Sequence, residues 1–321
     1  MKRRQLLLTL FGVPVLGSLI YAAIAKFKNQ YEPYDPVLAK SPDRPATPDS
    51  EVKTSPEPSE KPLLRFAAIA DTGVGSKDQY AVAGAMLRTY QQQAFPFVLM
   101  AGDNIYPYGE ISLVKPYFEK PYAPLLSRDV KFYAALGNHD LIKTNNGLDQ
   151  INYPLFNMRD RYYSFKKGNT DQETVEFFAI DTNDNAAWNE QLVWLDQQLA
   201  NSTAPWKIVF GHHPLYSSGQ HGSNPELAEK LAPIFAKHKV PLYLCGHDHG
   251  YERSIPLQGT TYFVNGGGGA PLYEFHKSPQ TAFVSSRFSF MTFDVYQDKI
   301  ITKAIGTDGK VFDRAIITKA S

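Results

Sequence analysis

Phe97-Val-Leu-Met-Ala-Gly-Asp-Asn-Ile-Tyr106 is the stretch on which the reading of this chain turns. A short, wholly apolar run stops abruptly at Gly102 and Asp103. A run of this length and character suits a central β-strand covered on both faces. The polar residues after it then stand at the strand's carboxyl end. The layout recurs along the chain. Phe66-Ala-Ala-Ile-Ala70 ends at Asp71-Thr-Gly73, and Val130-Lys-Phe-Tyr-Ala-Ala-Leu136 ends at Gly137-Asn-His-Asp140. Ile208-Val-Phe210 ends at Gly211-His-His213, and Leu242-Tyr-Leu-Cys245 ends at Gly246-His-Asp-His249. Glu176–Ile180, before Asp181, reads as a further strand.

Helical patterns separate these runs. Ser76 to Gln92 is helix-compatible, and Trp188, Leu192, Leu195 and Leu199 form an amphipathic stripe. Asn224-Pro225 supplies a cap and first turn for a helix reaching about Lys239. Strand, polar turn, helix and strand in alternation predict an α/β fold. In such sheets ligands gather beyond the carboxyl ends of the strands, which places all five motifs on one rim. From Thr261 onward, alternating runs at Thr261–Val264, Ser289–Tyr296 and Lys299–Thr302 predict a second, more antiparallel sheet in the same domain.

The N-terminus has a different character. Lys2-Arg3-Arg4 precedes an apolar stretch from Leu6 to Ala25, the layout of a secretory signal or signal anchor. The Arg pair resembles a twin-arginine export signal, and Ala23-Ile24-Ala25 fits a small-x-small cleavage site. Residues 1–25 are therefore expected to be a signal peptide or a membrane anchor through residues 6–25. Residues 26–62, dense in Pro and charge, read as a disordered linker that cannot bury enough apolar surface to fold. The catalytic domain is expected over residues 63–321. The net charge of +1 gives no global sign of a nucleic-acid partner. The lone Cys245 excludes an internal disulfide and a thiolate metal cluster, and its apolar run makes it a small buried hydrophobe.

Taken singly, each motif residue has an ordinary reading. Asp71 and Asp103 would be helix caps, Asn138 a turn residue, Tyr106 a packing residue and His212 a surface histidine. Together, in order and at strand ends, they offer the oxygen and nitrogen donors of a two-metal phosphoesterase. Two ions activate a water and neutralise the phosphate oxygens, and they need one carboxylate between them. Asp103 is the candidate for that bridge.

With these motifs the chain resembles the calcineurin-like metallophosphoesterases, and more narrowly the purple acid phosphatases of the small, tartrate-resistant type. Gly-Asp-x-x-Tyr, here Gly102 to Tyr106, is the discriminating element. The resemblance spans about Phe66 to Val311. It implies a four-layer αββα sandwich of two mixed sheets flanked by helices. It implies Fe(III) held by Asp71, Asp103, Tyr106 and His249. A divalent ion (iron, zinc or manganese) would be held by Asp103, Asn138, His212 and His247. His139 matches the histidine that faces the phosphate, and His221 the position that protonates the leaving group. The first motif departs from the family pattern, because Ala70 stands where a glycine is usual. The implied reaction is hydrolysis of a phosphate monoester of a small molecule or phosphoprotein by metal-bound hydroxide, in an exported protein. The alternatives are a dimetal phosphodiesterase or nucleotide phosphohydrolase, and a phosphate-binding module without turnover. No role is assigned to His213. The run Asn265–Gly269 reads either as a flexible connection or as a close backbone approach to the site.

Overall fold

The computed structural model describes residues 60–168 and 175–319. The signal or anchor expected at residues 1–25, and nearly all of the linker expected at 26–62, lie outside the described residues. Among the described residues no helix is long and apolar enough to cross a membrane.

Among the described residues thirteen strands form two sheets. In the first sheet, β1 (Leu64–Ile69), β2 (Phe97–Ala101) and β3 (Lys131–Ala135) run parallel. The second is built around β5 (Val175–Ala179), β6 (Trp206–Phe210), β7 (Leu242–Cys245) and β9 (Thr261–Asn265), also parallel. Antiparallel strands complete it: β4 (Tyr163–Lys167) on one edge, β8 (Tyr251–Ser254) and β10 (Thr281–Ser285) on the other.

The C-terminal strands do not make a sheet of their own, contrary to the sequence expectation. β9 enters the second sheet beside β7. Meanwhile β11 (Ser289–Val295) pairs antiparallel with β1, Phe66 opposite Phe293, and β12 (Lys299–Gly306) and β13 (Val311–Thr318) continue the first sheet outward, each antiparallel to the strand before it. Alternation in β11 and β12 reports which face is buried. It carries no information about which earlier strand offers a free edge.

The sheets meet through aromatic rings. Phe66 stacks on Phe293 at 4.5 Å and on Phe97 at 5.5 Å, while Phe177 of the second sheet meets Phe66 edge-on at 5.1 Å. Strand pleating divides β5 between two cores: Phe177 points between the sheets and Phe178 toward the outer helices. On the first sheet's outer face lie α1 (Lys77–Gln92) and α2 (Lys120–Leu126). The Ser76 hydroxyl caps α1 by accepting from the Gln79 amide at 3.2 Å. The short α3 (Leu148–Ile151) follows β3. Against the second sheet's outer face lie α4 (Trp188–Asn201) and α5 (Pro225–Lys237), which bury Leu195, Leu199, Leu231 and Phe235. Asn224 caps α5 through the Leu227 amide at 2.9 Å. Helix, sheet, sheet, helix is the expected four-layer αββα sandwich.

Candidate metal centre

Every motif falls where a parallel strand stops. Asp71 follows β1, Asp103 follows β2, Asn138 follows β3, His212 follows β6, and His247 and His249 follow β7. Three of these residues adopt left-handed backbone angles: Asp71 (φ 57°), Asp103 (φ 50°) and His247 (φ 70°). That conformation costs a non-glycine residue about 1–2 kcal/mol and persists only where the surroundings hold it. Here the motifs hold one another. The Asp71 amide donates to the Gly102 carbonyl (3.1 Å), and the Gly246 amide to the His212 carbonyl (2.9 Å). The His247 amide donates to Asp71 Oδ2 at 3.0 Å. Gly137 is required by proximity, since a Cβ there would stand 2.2 Å from Asp103 Oδ1.

One group of donors is almost fully buried. The Tyr106 hydroxyl lies 2.8 Å from Asp103 Oδ2, 3.1 Å from Asp71 Oδ1 and 3.1 Å from His249 Nε2. His249 Nε2 is 3.5 Å from Asp71 Oδ1. One phenolic hydrogen cannot serve two carboxylates at once, so this arrangement of acceptors fits a cation. Burial, then the charges of Asp103 and Asp71, push the Tyr106 hydroxyl well above the usual phenol range. His249 Nδ1 rests on the Pro271 carbonyl at 2.7 Å, which aims Nε2 inward.

The second group is richer in imidazole. His212 Nε2 lies 3.1 Å from Asn138 Oδ1 and 3.4 Å from Asp103 Oδ2, while its Nδ1 meets the Ala101 carbonyl at 3.0 Å. His247 lies with its ring centroid 5.1 Å from that of His212. Burial opposes a charge on His212, but Asp103 overrides it and raises the imidazole to about 10. Burial and the neighbouring imidazoles hold His247 well below the usual histidine range. Asp103 belongs to both groups: despite its burial, His212 and His139 keep its carboxyl below the ordinary range. Donor atoms of Asp71, Asp103 and His212 all lie within 4.8 Å of one another, as do those of His212, His213 and His247. Carboxylate, phenol, amide and imidazole groups around a shared carboxylate fit a dinuclear centre.

The flanking histidines are close by. His139 donates its amide to Asp103 Oδ1 at 3.0 Å, and its ring lies 4.5 Å from that of Tyr106. His221 is exposed and stacks on His247 at 4.1 Å. Its amide donates to Asp248 Oδ1 at 2.8 Å, and Ser217 Oγ donates to Asp248 Oδ2 at 2.5 Å. Asp248 thus supports a histidine through the main chain. Asp140 accepts from the amides of Asn104, Ile105 and Gly137, which ties the second motif to the third. The glycine run approaches the centre closely. The Ala270 amide donates to the Asp71 carbonyl at 3.1 Å, and a Cβ at Gly266 would lie 2.8 Å from Asp71 Oδ2.

Three participants lack a clear sequence signal. His213 is held by Thr182 Oγ1 at 2.8 Å, and burial and His212 lower it to about 3. Adjacency to His212 was its only mark. Thr182 receives the amides of both His212 and His213. Tyr273 stacks on His249 at 4.1 Å from a loop that carries no motif.

Comparison with known proteins agrees with this geometry. A family model for calcineurin-like phosphoesterases matches residues 64–251. Purple acid phosphatase 7 of Arabidopsis thaliana is 28% identical over 288 residues, 80% of this chain and 87% of the relative. Tartrate-resistant acid phosphatase type 5 of Mus musculus is 30% identical over 241 residues, 64% of this chain and 73% of the relative. Two solved structures share the fold. GAP50, described as the anchor in the inner membrane complex of Plasmodium, has a TM-score of 0.72 at 24% identity, over 81% of this chain and 90% of its own. Purple acid phosphatase PPD1 from Lupinus luteus has a TM-score of 0.66 at 22% identity, over 82% of this chain and 55% of its own. The match through the motif-bearing strands and the identity over most of the relatives' length lead to one conclusion: the chain belongs to the calcineurin-like phosphoesterases and, among them, to the purple acid phosphatases.

Proposed function

We propose that this protein is an exported acid phosphatase that hydrolyses phosphate monoesters at a centre of Fe(III) and a divalent ion. Asp71, Asp103, Tyr106 and His249 would hold the iron, and Asp103, Asn138, His212 and His247 the divalent ion, which is iron, zinc or manganese. The observation that carries this reading is the Tyr106 hydroxyl, within 3.1 Å of Asp71, Asp103 and His249. Burial, then the two neighbouring carboxylates, raises that phenol in the metal-free protein. A cation held by these groups would favour the phenolate, and a phenolate beside two carboxylates suits a trivalent ion. When bound, the two ions supply positive charge to the phosphate oxygens and an activated water.

The protein's own groups supply the rest. His139, half-buried with its Nδ1 on the Pro107 carbonyl at 2.7 Å, directs Nε2 toward the centre and orients the phosphate. His221, exposed on its Asp248-held loop, protonates the departing alkoxide and exchanges protons with solvent. The substrate is a phosphorylated small molecule or phosphoprotein. The basic start and apolar run at residues 2–25 support export by a twin-arginine-like route, or anchoring through residues 6–25.

Metal analysis of the purified native protein, with its visible spectrum and its rates on p-nitrophenyl phosphate and bis-p-nitrophenyl phosphate, tests the proposal. A tyrosinate charge-transfer band, with faster turnover of the monoester, is the expected result. A fully metallated but colourless protein would remove the ferric assignment, and preference for the diester would replace the substrate class.

A further inference from the structure

Tyr273 is absent from every motif, yet it stands between the two functional halves of the centre. Its ring lies parallel to His249, 14° between planes at 4.1 Å, and meets His221 edge-on at 5.5 Å. His221 in turn stacks on His247. The rings of His247, His221, Tyr273, His249, Tyr106 and His139 therefore follow one another as an aromatic collar around the donors.

The backbone fixes Tyr273 in this place from both sides. Its amide donates to the His249 carbonyl at 2.9 Å, and the His276 amide donates to the Ser218 carbonyl at 3.0 Å. The segment from Pro271 to His276 thus bridges the loop of His247 and His249 to the loop of His221. Tyr273 is half-buried, and its hydroxyl makes no hydrogen bond to the described residues. An ordinary phenol keeps its proton well above the working range of an acid phosphatase, so the hydroxyl is available as a donor. A half-buried phenol whose ring rests against both His249 and His221 is suited to donate to an anionic oxygen bound beside them.

We propose that Tyr273 is a substrate-positioning residue: its hydroxyl donates to an oxygen of the bound phosphate, and its ring keeps His249 and His221 in register. This inference rests on the phosphatase reading. The hydroxyl and the ring are separable by substitution. Tyr273→Phe keeps the ring, and Tyr273→Ala removes both.

The test compares the two variants with the unaltered holoenzyme. It measures metal content and visible spectrum, KM and kcat for p-nitrophenyl phosphate, and the inhibition constant of inorganic phosphate. Tyr273→Phe is expected to keep both metals and its kcat while raising KM and the phosphate inhibition constant by about tenfold, the loss of one hydrogen bond to a charged group. Tyr273→Ala is expected to lower kcat as well. Unchanged KM and phosphate inhibition in Tyr273→Phe, with metals retained, would overturn the role of the hydroxyl. An unchanged kcat in Tyr273→Ala would overturn that of the ring. Absence of turnover by the unaltered protein would instead sink the phosphatase reading itself, so the two failures are distinguishable.

Discussion

The two sheets contribute different chemistry to one site. The first sheet's parallel strands present oxygen donors: Asp71, Asp103 and Asn138 at the strand ends, and Tyr106 one turn further on. The second sheet's strands present nitrogen donors, His212, His247 and His249. Neither set is stable in isolation. Two buried carboxylates without a cation repel each other and pay a desolvation cost of several kcal/mol per ion. Where the sheets meet, His212 lies 3.4 Å from Asp103 and supplies positive charge in the metal-free protein. The centre is a property of the seam between the sheets, not of either one.

The severest way to break that seam is to remove its shared carboxylate. Asp103→Asn takes charge from both metal groups, and kcat for p-nitrophenyl phosphate is expected to fall about 10⁴-fold, roughly 5 kcal/mol. Metal analysis of the variant should show ions lost. A variant that retains both ions and full turnover would show that the two sheets need no common ligand.

Next is the packing that holds the sheets together. Phe177 of the second sheet lies between Phe66 and Phe97 of the first, at 5.1 and 5.4 Å. Phe177→Ala should cost about 4 kcal/mol in urea unfolding. Metal affinity should weaken too, because the donors of the two sheets are held in register by this packing.

The third prediction concerns pH in the metal-free protein. The folded value of His212 is raised to about 10 from 6.5. Its pairing with Asp103 is therefore fully stabilising below about pH 6.5 and is lost as pH rises toward 10. Stability of the metal-free protein should fall as pH rises across that window, as followed by urea unfolding. His212→Gln should flatten the dependence. Added metal should suppress it as well, because the ions take over the charge.

The smallest effect is a control within the second sheet alone. Asn224→Ala removes the α5 cap and should cost about 1 kcal/mol in thermal unfolding without loss of metal. A large loss of metal from this variant would mean that the helix layer, and not only the seam, sets the donor geometry.

Much of this was legible in the chain. β2 and β7 occupy the apolar runs that predict them, because a strand buried on both faces has little choice but to be apolar. Asn224 caps α5 where its side chain and position suggest it. The metal-ligand candidates fall together because each follows such a strand. Other elements gave no comparable signal. β4 and β10 lie at sheet edges, and neither is a wholly apolar run that stops at a polar motif. α2 carries Pro124 in its interior, which argues locally against a helix. The destination of β11 was misjudged because its pattern describes faces and not neighbours.

The amino-acid order alone determined the identity of the donors and their placement at strand ends, since local apolar runs and their polar stops are written in consecutive residues. Tertiary structure decided which donors share Asp103, how the C-terminal strands divide between sheets, and that Tyr273 and His213 stand at the centre. Those relations join residues far apart in the chain, such as Asp71 and His249. They come from packing two sheets face to face, which no local pattern encodes.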